Sequence, residues 1–168
     1  KIFNGDVNNI KIFKTIFNYS VKNKKYINGL VNNAGQRQRK KFTQISKNDL
    51  KKIFDTNFFS IFHLLQLYFK YVENNNIHTS VVNLGSIVGK LGFNDLSGYA
   101  STKSALEGLT KSLAIDFAKI GSRINIVNPG FTKTSFYKKF KKNKQLYNWT
   151  LDRTPLNRWA EPEEISNL

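Results

Sequence analysis

At 168 residues, 40% hydrophobic and 14% aromatic, the chain can bury one core and reads as a single globular unit. It has no cysteine and only two histidines, His63 and His78, which excludes disulfides, thiolate metal sites and cysteine nucleophiles, leaves no metal site expected, and fits a reducing compartment such as the cytoplasm. The net charge of +16 raises nucleic acid, anionic lipid or an anionic substrate as partners, but the lysines are scattered as on a solvated surface, so neither nucleic acid nor membrane is expected.

In chain order, the run Ile27 to Val31 is short and apolar and opens into Asn32-Asn33-Ala34-Gly35, a buried strand entering a loop. Ser46-Lys47-Asn48-Asp49 has the form of a capping box, and Leu50, Phe54, Phe58, Ile61, Leu65 and Phe69 then recur at helical spacing, which predicts one helix over Lys47 to Tyr71. Its most apolar stretch, Phe58 to Phe69, is broken by His63 and Gln66 and falls short of the roughly twenty residues a membrane span needs. Thr79 to Leu84 is a β-branched run ending at Gly85-Ser86, a strand entering a turn. A long helix is predicted over Ser97 to Lys119, stopped by Gly121, followed by a strand at Ile124 to Val127 that ends at Asn128-Pro129-Gly130. Lys138 to Trp149 is basic and aromatic, a helix or flap at a ligand mouth, and Glu161-Pro162-Glu163-Glu164 begins a last helix. Alternating strands and helices predict an α/β fold with a parallel sheet covered on both faces.

Ser86, Tyr99 and Lys103 are the sharpest chemical constellation. Tyr99 and Lys103 stand four apart on the long helix and share a face, while Ser86 comes from the end of the preceding strand. A phenol is a poor base at neutral pH, and a neighbouring ammonium that favours phenolate would bring it into a useful range. The serine hydroxyl can hold a substrate oxygen while the tyrosine exchanges its proton. Gly85-Ser86-Ile87-Val88-Gly89 lacks the spacing of a serine nucleophile elbow, and Gly89-Lys90-Leu91-Gly92 lacks that of a phosphate loop; both read as turns.

These motifs resemble the short-chain dehydrogenase/reductase family, in which a serine lies thirteen places before the tyrosine and the lysine four after it, as Ser86, Tyr99 and Lys103 do here. The resemblance implies a three-layer, Rossmann-type, doubly wound parallel sheet, truncated at both ends. Tyr99 would be the general acid/base, Lys103 would lower its pKa and hold the nicotinamide ribose, and Ser86 would orient the carbonyl. Asn57 would anchor a proton-relay water through its backbone carbonyl. Asn33, Ala34 and Gly35 would lie along the cofactor, and Asp6 and Val7 would approach the adenine. Backbone from Pro129 and Gly130 to Thr132 would meet the nicotinamide, with Thr134 at phosphate or carboxamide. The stretch Thr154 to Ile165 is similar to the family's Pro-Leu-x-Arg-x-x-x-Pro-Glu-Glu, and residues 131–160 would form a substrate-side flap.

The resemblance also implies an oxidoreductase that moves a hydride between NAD or NADP and a small carbonyl or alcohol substrate, and a homo-tetramer or dimer built through the two long helices. The family's Gly-rich pyrophosphate turn does not occur in the sequence, and neither does the strand that selects NAD from NADP. The chain opens on Lys1 and contains no methionine, which suggests an internal piece of a longer product. Two basic stretches, Arg37 to Lys41 and Lys138 to Lys144, would favour an anionic substrate such as a sugar acid or a carrier-linked 3-oxoacyl group. A non-catalytic structural partner in an oligomer is the alternative reading.

Overall fold

The computed structural model describes all 168 residues, and their contacts gather into two compact units, Lys1–Ile126 and Val127–Leu168. The first unit opens with a helix outside the predicted elements, α1 (Ile10–Lys22), started by Asn9, whose side chain accepts the Lys11 N–H. Its Phe13, Ile16 and Phe17 make the apolar stripe.

Strand β1 (Gly29–Asn32) follows and pairs in parallel with β2 (Ser80–Leu84), Leu30 opposite Val81 and Asn32 opposite Asn83. A parallel pair requires a long crossover, supplied here by α2 (Lys47–Phe54) and α3 (Ser60–Asn74). The capping box that starts α2 is present: Ser46 Oγ accepts the Asp49 N–H, and the Asp49 carboxylate accepts the Ser46 N–H. The single predicted helix is not continuous, however. Asp55–Phe59 form a π turn between α2 and α3, in which the Ser60 N–H reaches back to Asp55 O and the Ser60 hydroxyl donates to Thr56 O.

Helix α4 (Ser97–Lys119) has the predicted bounds and leads to β3 (Arg123–Val127), giving the sheet order β1-β2-β3. It ends in a Schellman motif: Gly121, at φ +65°, donates to Ala118 O, and Ser122 donates to Phe117 O. Helices α1, α3 and α4 share one core with the sheet, built from Phe17, Leu65, Tyr68, Val72, Val81, Leu106, Phe117 and Ile124. Tyr68 and Tyr71 are buried because their hydroxyls have partners, Thr79 for the first and Ser20 for the second. On the sheet's other face Gly29, Val31, Arg123 and Asn125 are exposed; the expected burial on both faces does not extend to these positions.

The second unit is organised around Trp159, buried among the rings of Phe131, Tyr137, Phe140 and Tyr147. Helices α5 (Tyr137–Lys142) and α6 (Lys144–Asp152) occupy the predicted basic, aromatic stretch. The indole N–H donates to Thr150 Oγ1 at 2.7 Å, so the polar edge of the ring is satisfied inside the cluster. Thr132 bridges Ala160 in parallel, and α7 (Glu163–Ser166) closes the chain behind Pro162.

Candidate active site

Ser86 sits at the end of β2 and begins a 3-10 turn, Ile87–Gly89, its hydroxyl accepting the Val88 N–H. The turn lies hard against α4: a Cβ at Gly89 would come 3.1 Å from both the Lys103 carbonyl carbon and the Ser104 nitrogen. A side chain here would have to push the turn and the helix backbone apart by a few tenths of an ångström, and Ser104 fastens the approach by donating to Gly89 O. The contact brings strand end and helix together so that the Tyr99 hydroxyl hydrogen-bonds Ser86.

Lys103 lies one turn beyond Tyr99 and is only 5% exposed, its ammonium 5.9 Å from the Tyr99 ring centre and donating to Leu84 O at 2.6 Å. Burial pulls its pKa down to about 8. Tyr99 moves the other way from expectation. Burial pushes its phenol above the ordinary value, with the Ser86 hydrogen bond and the Arg37 charge acting against that rise.

Asn57 is fully buried inside the π turn. Its side chain accepts the Gln36 N–H at 2.7 Å, donates to Gln36 O at 2.8 Å and donates to Thr102 Oγ1 at 3.2 Å. Thr102 in turn donates to Tyr99 O. The amide group therefore clamps the loop after β1 to the helix that carries Tyr99 and Lys103. Gly35 lies inside the same corner, where a Cβ would come 3.4 Å from Asn57 Oδ1 and 3.8 Å from Lys103 Nζ. Asn33 and Ala34, beside it, are exposed.

A second polar chain sets the strands beneath. Asn32 donates to Asn83 across β1 and β2, Asn83 donates to Thr110 on α4, and Thr110 donates to Leu106 O. Buried polar groups linked in series specify one arrangement because each unmet partner costs about 1–3 kcal/mol. Thr102, Gln36, Asn83 and Thr110 carry no signal in the sequence by themselves; their partners lie 21 to 51 positions away.

Val7, next to Asp6 in the chain, lines a cavity of about 630 Å³ together with Asn8, Gln36, Thr56, Phe59 and His63 among others. Gln36 belongs both to this cavity and to the Asn57 clamp, which connects the two. The Asp6 carboxylate accepts the Asn8 N–H and the Asn8 side-chain amide. Pro129, Gly130, Thr132 and Thr134 belong to the second unit, where Lys133 donates to Ala160 O and Ala160 donates to Phe131 O, fixing the loop against the Trp159 cluster.

A phenol bonded to a serine hydroxyl, with a buried ammonium one helical turn away and an open glycine beside it, can exchange a proton with a bound oxygen. The family model described as enoyl-(acyl carrier protein) reductase matches residues 1–168. A chloroplastic tropinone reductase homolog of Arabidopsis thaliana is 37% identical over 138 residues, 82% of this chain and 42% of that protein. A 3-oxoacyl-[acyl-carrier-protein] reductase of Buchnera aphidicola is 33% identical over 145 residues, 86% of this chain and 58% of its own length. Among solved structures, 4-hydroxyisoleucine dehydrogenase complexed with NADH superimposes with a TM-score of 0.91 at 28% identity, over 99% of this chain and 69% of the other. ElxO with NADP bound does so with a TM-score of 0.88 at 28% identity, over 99% of this chain and 68% of the other. The chain spans about half the length of the first curated relatives it matches. With its fold, the order of its motifs and a family match over its whole length in agreement, the chain belongs to the short-chain dehydrogenase/reductase family.

Proposed function

We propose that this chain carries the catalytic centre of an NAD(P)-dependent oxidoreductase acting on a carbonyl or secondary alcohol. The observation that carries the reading is the Tyr99 phenol bonded to Ser86 with Lys103 buried beside it. The residues present fit one end of a nicotinamide dinucleotide. The backbone of Asn33 to Gly35 is exposed, and any side chain at Gly35 would take up the space beside the Lys103 ammonium. NAD or NADP, when bound, supplies or accepts the hydride.

Ser86 holds the substrate oxygen, and Tyr99 gives that oxygen a proton in reduction or removes one in oxidation. A phenol pushed up by burial is protonated at neutral pH, the form that reduction consumes. Lys103 directs one of its three donors to Leu84 O and offers the others to the nicotinamide ribose. The Asn57 backbone carbonyl anchors the water that restores the proton. Asp6 and Val7 meet the adenine, Pro129, Gly130 and Thr132 meet the nicotinamide, Thr134 meets phosphate or carboxamide, and residues 131–160 serve as the substrate-side flap. The substrate is a 3-oxoacyl thioester or a sugar acid or polyol, by likeness to the reductases and dehydrogenases matched. A groove of about 640 Å³ between α3 and α4, lined by Phe62, Leu67, Phe69, Leu109 and Leu113 among others, supports a homo-dimer or tetramer through those helices. No helix is long and apolar enough to cross a membrane, and the cysteine-free composition supports a cytoplasmic setting.

The test is titration of the natural gene product with NADH and NADPH, followed by turnover of 3-oxoacyl thioesters and oxo sugar acids. Saturable binding of one cofactor and loss of turnover in Tyr99→Phe are expected. A folded protein that binds neither, or a Tyr99→Phe variant with full turnover, overturns the reading.

A further inference from the structure

Tyr99 and Lys103 begin a stripe along α4 that continues at the same spacing through Glu107 and Lys111. Side chains from this part of the helix hold the chain on both sides of Ser86. Lys103 donates to Leu84 O at 2.6 Å, just before the serine. Ser104 donates to Gly89 O at 2.7 Å, just after it, where Gly89 lies against the helix backbone. The Glu107 carboxylate pairs with Lys90 at 3.4 Å and with Lys111 at 2.8 Å. Within the turn, the Gly89 N–H donates to Ser86 O and the Val88 N–H donates to Ser86 Oγ. Whatever docks Gly89 on α4 therefore also places both oxygens of Ser86.

The two ion pairs contribute little to stability, because both lysines are largely exposed. Glu107 nevertheless keeps only 13% of its side chain in solvent. Chiefly the hydrogen bond from Lys111, with the charges of Lys111 and Lys90 adding to it, holds its carboxyl below the usual range. An ionised group is thus set into the seam between turn and helix. The Ser86 hydroxyl comes from one side of that seam and the Tyr99 phenol from the other. Proton exchange between two elements needs their separation fixed to within about 0.5 Å, and the seam is where this separation is set.

We infer that Ser104 and Glu107 are positioning residues: acting through Gly89 and Lys90, they dock the turn that carries Ser86 onto α4 and hold the serine hydroxyl at the Tyr99 phenol. Their effect passes through Ser86. The inference rests on the oxidoreductase reading for turnover and on the seam alone for the bond between Ser86 and Tyr99.

Variants of the natural gene product, carrying tyrosine labelled at Cζ, separate the two. The Cζ resonance of Tyr99, assigned by its loss in Tyr99→Phe, reports the hydrogen bond of the phenol. In Ser104→Ala and, less far, in Glu107→Gln it moves towards its position in Ser86→Ala. Turnover falls about tenfold in Ser104→Ala and about threefold in Glu107→Gln, in kcat, with KM and cofactor affinity within about twofold of wild type. On a Ser86→Ala background neither substitution moves the resonance or lowers the residual turnover further, because the residue through which both act has lost its hydroxyl. Equal losses in both backgrounds, a loss carried by KM, or a Tyr99 resonance that stays in place in both single variants overturns the inference. A resonance that moves in Ser104→Ala alone removes Glu107 from it. A folded wild type without turnover on either cofactor sinks the oxidoreductase reading, while the resonance still decides the seam.

Discussion

The corner around Tyr99 and the cluster around Trp159 achieve order by opposite means. The first is a lattice of buried polar groups, with Asn57, Asn83, Thr102 and Lys103 all removed from solvent and each tied to a residue distant in sequence. The second is a ring of aromatic side chains around one indole, with its ion pairs, Arg158 to Glu164 and Lys133 to Glu161, left on the outside. Polar lattices fix geometry at the cost of desolvation, while aromatic clusters gain area and tolerate small displacements. A proton-exchange site needs the former; a segment of 42 residues with short helices can be held by the latter.

Removing the indole is the severest way to break this contrast. Trp159→Ala takes away the contacts of four rings and the bond to Thr150, a loss of about 3–5 kcal/mol for a buried aromatic. Amides from 131 to 160 should then lose hydrogen-exchange protection while those of α3 and α4 keep it. Unchanged protection in the second unit would show that the ring cluster does not organise it.

Lys103 tests the buried lattice through pH. Its pKa in the fold is about 8 against an ordinary 10.5, so between these values the unfolded chain holds a proton that the folded chain does not. Stability therefore rises with pH across that window, by about 3 kcal/mol for this group alone. Tyr99, whose phenol is raised, works in the opposite direction above pH 10. Urea midpoints for wild type at about pH 7.5 and about pH 9.5 should differ by that sign, and Lys103→Met should remove most of the difference.

The smallest effect belongs to the exterior charges. Glu164, whose carboxyl is held down to about 2 chiefly by its hydrogen bonds to Arg158, stabilises the fold above its ordinary pKa and stops doing so as pH falls through the lowered one. Both partners are about half exposed, so Glu164→Gln should shift the urea midpoint little at neutral pH, and less still in high salt.

Much of this architecture is legible from local pattern. The Ser46 to Asp49 cap, the bounds of α4 and the three strands follow from caps, periodicity and β-branched runs whose causes lie within a few residues. Tyr99 and Lys103 fall on one helix face for the same reason. The buried face of α4 is not legible from apolar spacing, because Gly98, Thr102, Lys103 and Thr110 share it with Leu106 and Phe117. Those polar groups are buried by partners on other elements. Helix α1 lies outside the predicted elements although it carries a usable stripe at Phe13, Ile16 and Phe17. The Asn57 clamp on Gln36 joins residues 21 positions apart, a tertiary fact with no local trace.

The π turn at Asp55–Phe59 gives the chain an unusual tolerance. An α-helix advances about 100° per residue, so deleting a residue from its middle ordinarily swings half of its side chains off the core. A π turn already contains one residue more than the helix on either side requires. Deleting one here would let the ladder close as plain α-helix with α2 and α3 each keeping its own packed face, and the casualty would be the Asn57 clamp rather than the helix. The insertion is a molecular shim: it can be withdrawn without collapsing the frame, but the corner it spaces for chemistry would no longer meet.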